Sequence, residues 1–198
     1  MGVRDLLKNK LRRMIFINRF SGQFLVKKES DSDHVWEMIA MALVLVPEWN
    51  KSLTDDKLDL NDIIYRIVIH DLDECLTSDI PRPFKYHSEK LTDAIRDAVD
   101  DMMASEFSPE LYNDVKNAKD HDVPEGFVVA ILDTVQVSLK YLDEIHNCGN
   151  NSVKDVTLRY NMEVIEKLIL EVTLRTGDLY RVLEAFLKEV LQDIKNEY

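Results

Sequence analysis

Four residues in this chain carry side chains suited to holding a metal: His34, the adjacent pair His70-Asp71, and Asp133. Two imidazoles and two carboxylates form a ligand set for a divalent transition ion such as Co, Mn, Zn, Fe or Ni. Such an ion activates water and polarises a phosphoryl oxygen, the chemistry of a metal-dependent phosphohydrolase. His70 and Asp71 lie in Ile69-His70-Asp71-Leu72-Asp73-Glu74, inside an otherwise apolar, helix-spaced stretch. On a helix these neighbours point about 100° apart, yet both reach an ion placed beside it. Glu74 shares their face and reaches a water on the same ion. The pair alone also fits a capped helix with solvated polar residues. Asp133 weighs against that reading. It sits in Phe127-Val128-Val129-Ala130-Ile131-Leu132-Asp133-Thr134-Val135, where nearly everything is apolar. Burying an uncompensated carboxylate is costly, and a metal is one compensating partner. A buried arginine or a cluster of backbone amides is another.

The elements that position these residues read as helices. Five glycines, five prolines and scarce alternation of apolar with polar residues point to an all-α fold. The 198 residues, 45% of them hydrophobic, suffice for one compact domain over 1–198 without staples. A first helix is predicted from about Val3 to Ile17. Asn18 to Lys28 reads as a loop broken at Ser21-Gly22. Ser30 and Asp33 form a capping box that starts a helix, with His34 in its first turn and Pro47 ending it near Val46. Asp59-Leu60-Asn61-Asp62 opens a helix to about Leu76, with Ile63, Ile64, Ile67, Val68 and Leu72 as its core stripe. Pro81 and Pro83 stiffen a loop from Thr77 to Lys85. A polar helix follows from about Ser88 to Ala104. Pro124 starts a helix to about His146. Two more span Val153 to Thr173 and about Asp178 to Asn196, with Gly177 between.

Charge and cysteines narrow the function classes. A net charge of −12 argues against a long nucleic acid as partner but leaves room for a small anion beside a metal. No apolar run reaches membrane-spanning length. Basic residues near the start (Arg4, Lys8, Lys10, Arg12, Arg13) lack the apolar core and cleavage site of a signal peptide. Cys75 and Cys148 read as reduced thiols of a cytoplasmic protein.

The chain resembles the HD-domain phosphohydrolases, specifically the bacterial 5′-deoxynucleotidase branch. Ile17-Asn18-Arg19-Phe20 resembles that family's Ile-Asn-Arg-Trp, and Glu29-Ser30-Asp31-Ser32-Asp33-His34 its segment ending Ser-Glu-His. The run His70-Asp71-Leu72-Asp73-Glu74-Cys75-Leu76-Thr77-Ser78-Asp79-Ile80-Pro81 resembles its His-Asp-x-x-Glu-x-x-Thr-Gly-Asp-Leu/Ile-Pro. Pro83-Phe84-Lys85-Tyr86 resembles its Pro-x-Lys-Tyr, and Asp133 with Leu139-Lys140-Tyr141-Leu142-Asp143-Glu144 resembles the helix of its last metal ligand. These blocks lie in order over a core of residues 11–150; the C-terminal helices, 153–196, match less clearly.

The resemblance implies a helical HD domain that converts a deoxyribonucleotide to the 2′-deoxynucleoside, as a homodimer or higher homo-oligomer. His34, His70, Asp71 and Asp133 would hold one divalent ion, and Glu74 would orient or deprotonate the attacking water. Arg19 would grip the phosphate, Lys85 would contact it or stabilise developing charge, and Asp79 would bind the sugar or order the site. Phe20 stands where the family has a tryptophan against the deoxyribose. Ser78 replaces a glycine, which leaves room for a different backbone before Asp79. The chain is also similar in size and motif order to phage HD-domain dATP triphosphohydrolases; Lys27, Lys28, Arg82 and Lys85 are cations available for the longer phosphate tail. A non-catalytic metal-binding HD regulator is a further alternative, which the intact Glu74 disfavours. Hydrolysis of guanosine tetraphosphate is disfavoured because Cys75 stands where those enzymes carry Asp in His-Asp-x-x-Glu-Asp.

Overall fold

The computed structural model describes residues 11–55, 57–85 and 87–197. Among them all regular structure is helical, apart from one antiparallel bridge between Asn18 and Ser30. Most of the first expected helix, and Tyr86, lie outside the described residues. The described end of that helix, Leu11–Ile15, is a short 3-10 turn rather than α-helix.

Helix α1, Asp31–Ser52, opens on the expected capping box. The Ser30 side chain accepts from the Asp33 backbone N–H, and the Asp33 carboxylate accepts from that of Ser30. The helix does not stop at Pro47, which lies inside it. Pro47 is exposed, as is Leu43, whose carbonyl would otherwise accept from residue 47, so solvent can reach the group the proline leaves unbonded. Buried Val46 and Trp49 carry the helix on into the core.

Helix α2, Leu60–Ile69, is capped by Asp59, which accepts from the backbone N–H groups of Asn61 and Asp62. Its stripe buries Ile63 and Ile67 completely. The helix does not run on to Leu76. It ends at Ile69 and tightens into a turn, with Leu72 N–H donating to Ile69 O and Glu74 N–H to Asp71 O, both at 3.0 Å. A single turn, α3, then covers Glu74–Thr77.

Ser78 follows with φ 64° and ψ 166°, a region suited to glycine. The backbone that a glycine would adopt is therefore kept by a serine, at a cost of about 1–3 kcal/mol. The Ser78 side chain is exposed, so little is lost by removing it. Ser78→Gly should raise stability by about 1 kcal/mol, the strain relieved minus the extra freedom of an unfolded glycine. Urea unfolding checks this, and a destabilised variant would contradict it.

The stiff loop contains a further helical turn, α4, Arg82–Lys85. Helix α5 spans Glu89–Glu106 from a Ser88 cap. Helix α6, Pro109–Lys116, was not expected. Its signal is present in Ser108 as cap and Pro109 in the first turn. Helix α7, Pro124–His146, is the central element, with Phe127 to Leu132 buried without a break. Helix α8 begins at Arg159 rather than Val153, after a 3-10 turn (Asn151–Val153) and a wider π-turn (Lys154–Leu158), and ends at Thr173. Helix α9, Asp178–Glu197, packs along it. No helix among the described residues is long and apolar enough to cross a membrane.

Two apolar clusters result. The larger joins α1, α2, α7, α8 and α9 around Met38, Ile67, Phe127, Leu132, Ile165 and Leu187. The smaller gathers Met14, Ile17, Ile69, Leu72, Cys75, Met103 and Val115. The turn holding His70 and Asp71 lies where they meet, since Ile67 belongs to one and Ile69 and Leu72 to the other.

Candidate metal centre

Each imidazole is aimed by a bond on its outer nitrogen. Gln136 Nε2 donates to the carboxylates of Glu29 (3.1 Å) and Glu37 (2.8 Å), which turns its Oε1 toward His34. His34 Nδ1–H therefore donates to Gln136 Oε1, at 2.6 Å. His70 Nδ1–H donates to Ile67 O at 2.7 Å. Both rings thus turn Nε2 inward, and the two Nε2 atoms stand 3.2 Å apart. Burial, then the nearby Arg19 charge, hold the His34 imidazole below its ordinary pKa and so favour its neutral form.

The carboxylates complete the cluster. Asp71 Oδ2 lies 3.0 Å from His70 Nε2 and 3.9 Å from His34 Nε2. Asp133 Oδ1 lies 3.3 Å from His34 Nε2 and, buried, has no hydrogen-bond partner. His70 is the C-cap of α2 and Asp71 opens the turn that follows, and both side chains meet at one point. One oxygen of His34, His70 and Asp71's set and both ring nitrogens fall within 4.8 Å of one another, so these three residues can hold a metal ion. The donor set fits such an ion: two inward ring nitrogens fixed by bonds behind them, beside carboxylate oxygens, one of them orphaned.

Two cations brace the same carboxylates. Arg19 Nη1 donates to Asp71 Oδ2 at 2.9 Å, and its guanidinium also lies 3.6 Å from Glu29, 3.9 Å from Asp31 and 3.9 Å from Asp133. Lys119 Nζ donates to Asp71 Oδ1 (3.2 Å) and Asp133 Oδ2 (3.1 Å). Burial alone would raise both aspartates. The positive charge beside them, that of Lys119 on both, outweighs it, and both stay well below the usual carboxylate range. Burial also disfavours the Lys119 ammonium, but Asp133 and Asp71 more than restore it.

Glu74 stands beside a carboxyl that sequence reasoning treated only as part of a capping segment. Asp31 is fully buried, and neither of its oxygens has an N–H or O–H donor among the described residues. Its carboxyl is within hydrogen-bonding reach of Glu74. Burial raises both, and the Asp71 charge adds to it for Glu74, so the pair retains a proton more readily than free carboxylates do.

The loop from Asn18 to Ser30 carries Arg19 and Phe20. Arg19 N–H donates to Glu29 O and Asp31 N–H to Ile17 O, closing the loop at its base. Its far end is held by Glu144, which accepts from the backbone N–H groups of Val26 (2.8 Å) and Lys27 (2.9 Å). Asp79 accepts from Ser21 N–H at 3.3 Å and ties the loop to the Ser78 turn. Phe20 adopts a positive φ of 60°, and its ring lies 5.3 Å from that of Tyr141.

Other candidates stand apart. Lys85 acts on Asp73, the residue before Glu74, lowering a carboxyl that burial and Asp71 raise. Lys27 and Lys28 line a cleft of about 430 Å³ with Glu29, Trp36, Glu37, Lys140 and Asp143, and Lys27 Nζ lies 3.6 Å from Asp143. Sequence reasoning missed Asp31, Gln136 and Lys119. The first two were findable: Asp31 precedes His34 by three, Gln136 follows Asp133 by three, and that spacing shares a helix face. Lys119 lies in a loop, and its position in the sequence carries no signal.

Comparison with known proteins follows the same lines. The family described as 5′-deoxynucleotidase YfbR-like matches residues 7–191. A 5′-deoxynucleotidase of Vibrio atlanticus (strain LGP32) is 29% identical over 160 residues, 75% of this chain and 79% of that protein. One from Yersinia pestis (strain Pestoides F) is 29% identical over 147 residues, 71% of this chain and 74% of that protein. Among solved structures, an HD-domain phosphohydrolase from Listeria innocua superposes with a TM-score of 0.75 at 23% identity, over 98% of this chain and 90% of that one. The HD phosphohydrolase DatZ of cyanophage S-2L, solved with dA and one catalytic Zn2+ ion, superposes with a TM-score of 0.64 at 14% identity, over 98% of each chain.

Proposed function

The chain belongs to the YfbR-like 5′-deoxynucleotidase family, and from that premise we propose that it hydrolyses deoxynucleoside 5′-monophosphates to the deoxynucleoside and phosphate at a single metal centre. The observation that carries this reading is the pair of inward Nε2 atoms, each fixed by its own outer hydrogen bond, facing Asp71 Oδ2 and the orphaned Asp133 Oδ1. His34, His70, Asp71 and Asp133 are the ligands in this reading. A divalent ion there, Co, Mn, Zn, Fe or Ni, supplies a Lewis acid for the phosphoryl oxygen and lowers the pKa of water.

The chain's own residues do the rest. Arg19 binds the phosphate oxygens with its planar fork, and Lys85 adds charge from the α4 side. Glu74 orients the water and accepts its proton as the new oxygen–phosphorus bond forms and the bond from phosphorus to O5′ breaks. The departing O5′ takes a proton, and the buried Asp31–Glu74 pair is a source of one. Asp79 keeps the Arg19 loop in register through Ser21.

Two features favour the monophosphate over a triphosphate. Lys27 and Lys28, two of the four cations available to a longer tail, line a cleft that neither imidazole lines. The relatives from Vibrio atlanticus and Yersinia pestis are both named 5′-deoxynucleotidase. The reading carries with it a cytoplasmic homodimer or larger homo-oligomer, for which exposed Trp36, Val44, Leu170 and Leu174 supply apolar surface; a monomeric mass by light scattering would remove that part.

The sugar gives the experiment. Phe20 follows Arg19 directly, and its ring offers an apolar wall for the 2′ carbon of deoxyribose. A ribose would place an unpaired hydroxyl there, at a cost of about 1–3 kcal/mol, or roughly tenfold to a hundredfold in selectivity. The ratio of kcat/KM for dAMP to AMP should lie in that range and shrink in Phe20→Ala, where water can reach the hydroxyl. A parent ratio near one, or a ratio untouched by the substitution, would remove Phe20 from the site.

A further inference from the structure

We propose that Lys119 is a phosphate-binding residue of this reaction, one that attracts the substrate phosphate and weakens the hold of the site on its metal. The proposal rests on the metal-centre reading above.

Lys119 takes one oxygen from each of two ligand carboxylates. Its Nζ holds Asp71 Oδ1 and Asp133 Oδ2, while the oxygens facing the imidazoles are Asp71 Oδ2 and Asp133 Oδ1. The ammonium therefore stands on the opposite side of both carboxylates from the ring nitrogens, and need not leave when an ion binds between the rings. Its side chain is also more exposed than the residues it bonds. The Lys119 side chain is 34% exposed, against 13% for Asp71 and Asp133 and none for His34 and His70. In this proposal the phosphate meets the cluster at Lys119.

The lysine is placed by its surroundings rather than by chance. Its loop, between α6 and α7, is pinned at Asn117 O by Arg66 (2.7 Å) and at His121 O by Arg175 (2.5 Å). The His121 ring in turn meets Glu171 at 2.9 Å. Gly126 packs so tightly on this loop that a Cβ would lie 2.4 Å from Asp120 O, which requires glycine there. Ala118, next to the lysine, is buried.

The electrostatic consequence has opposite signs for the two ligands. A fixed cation a few ångströms from a divalent ion repels it, by more than the energy of about a tenfold change in affinity even in a screened environment. The same cation attracts a phosphomonoester, which carries nearly two negative charges near neutral pH. A lysine that merely braced the two carboxylates would help the metal instead, as outer partners of ligands ordinarily do.

Lys119→Met and Lys119→Arg in the full chain separate these roles. Chelator competition reads the Co2+ dissociation constant, calorimetry reads inorganic phosphate binding to the Co2+-loaded protein, and steady-state kinetics read KM for dAMP. Lys119→Met should bind Co2+ about tenfold or more tighter, bind phosphate about tenfold or more weaker, and raise KM. Lys119→Arg, which keeps the charge, should stay near the parent in all three. Weaker or unchanged Co2+ binding in Lys119→Met would overturn the proposal, as would unchanged phosphate affinity. A parent protein that binds no Co2+ would overturn the metal-centre reading itself, and this proposal with it.

Discussion

Glu74→Ala should keep its metal and lose on the order of a hundredfold or more in kcat. Glu74 is separated from the ring nitrogens by the Asp71 turn, and its carboxyl faces Asp31 rather than the imidazoles, so its removal leaves His34, His70, Asp71 and Asp133 in place. What goes is the group that orients water and takes its proton, a loss on the usual general-base scale. Metal analysis of the purified variant and turnover of dAMP are both needed. Retained metal with turnover at the parent rate would leave Glu74 without a chemical role; loss of metal would make it a ligand or a structural support instead.

The second large effect belongs to Asp71. Asp71→Asn should abolish turnover and strip most of the metal while leaving the protein helical by circular dichroism. Asp71 Oδ2 faces His70 Nε2 and also accepts from Arg19 Nη1. An amide keeps the shape but loses the charge, and it can turn an NH2 group toward the ion or toward Arg19. Its Oδ1 side loses the charge-assisted bond with Lys119 as well, and such bonds are roughly twice as strong as neutral ones. Metal content near one ion per chain in this variant, or activity close to the parent, would take Asp71 out of the ligand set.

How far the sequence alone could reach depended on what each feature answers to. Helix α7 was legible at both ends, because Pro124 in the first turn and an unbroken apolar run are local signals. Pro47 misled, because a proline stops a helix only where its missing bond must be made within the protein. Here the ring is exposed and Val46 and Trp49 are buried on either side. The break after Ile69 was invisible for the opposite reason: the apolar stripe of α2 continues in register through Leu72, which packs in the second cluster instead of the first. That break falls at the centre itself, where His70 and Asp71 stand 3.0 Å apart.

The centre divides the same way. The structure brings His34, His70 and Asp71 together with Asp133 beside His34, and Asp133 has an ion-pair partner in Lys119, which the sequence did not reveal. Lys119 is 14 residues from Asp133 in sequence and meets it only because the loop before α7 folds back over the start of that helix. Ser78 runs the other way. Its departure from glycine suggested a different backbone, and the turn kept the glycine-like conformation, because the Asp79 bond to Ser21 and the Ser78 N–H bond to Glu74 O hold both sides of it.

The most direct test of the whole account is the phosphate product formed by metal-loaded protein from each deoxynucleoside monophosphate and triphosphate. The account predicts orthophosphate and the deoxynucleoside from the monophosphates, lost on exhaustive chelation and restored by a divalent transition ion. Triphosphate released from the triphosphates with no orthophosphate from any monophosphate would contradict it, and so would full activity after chelation.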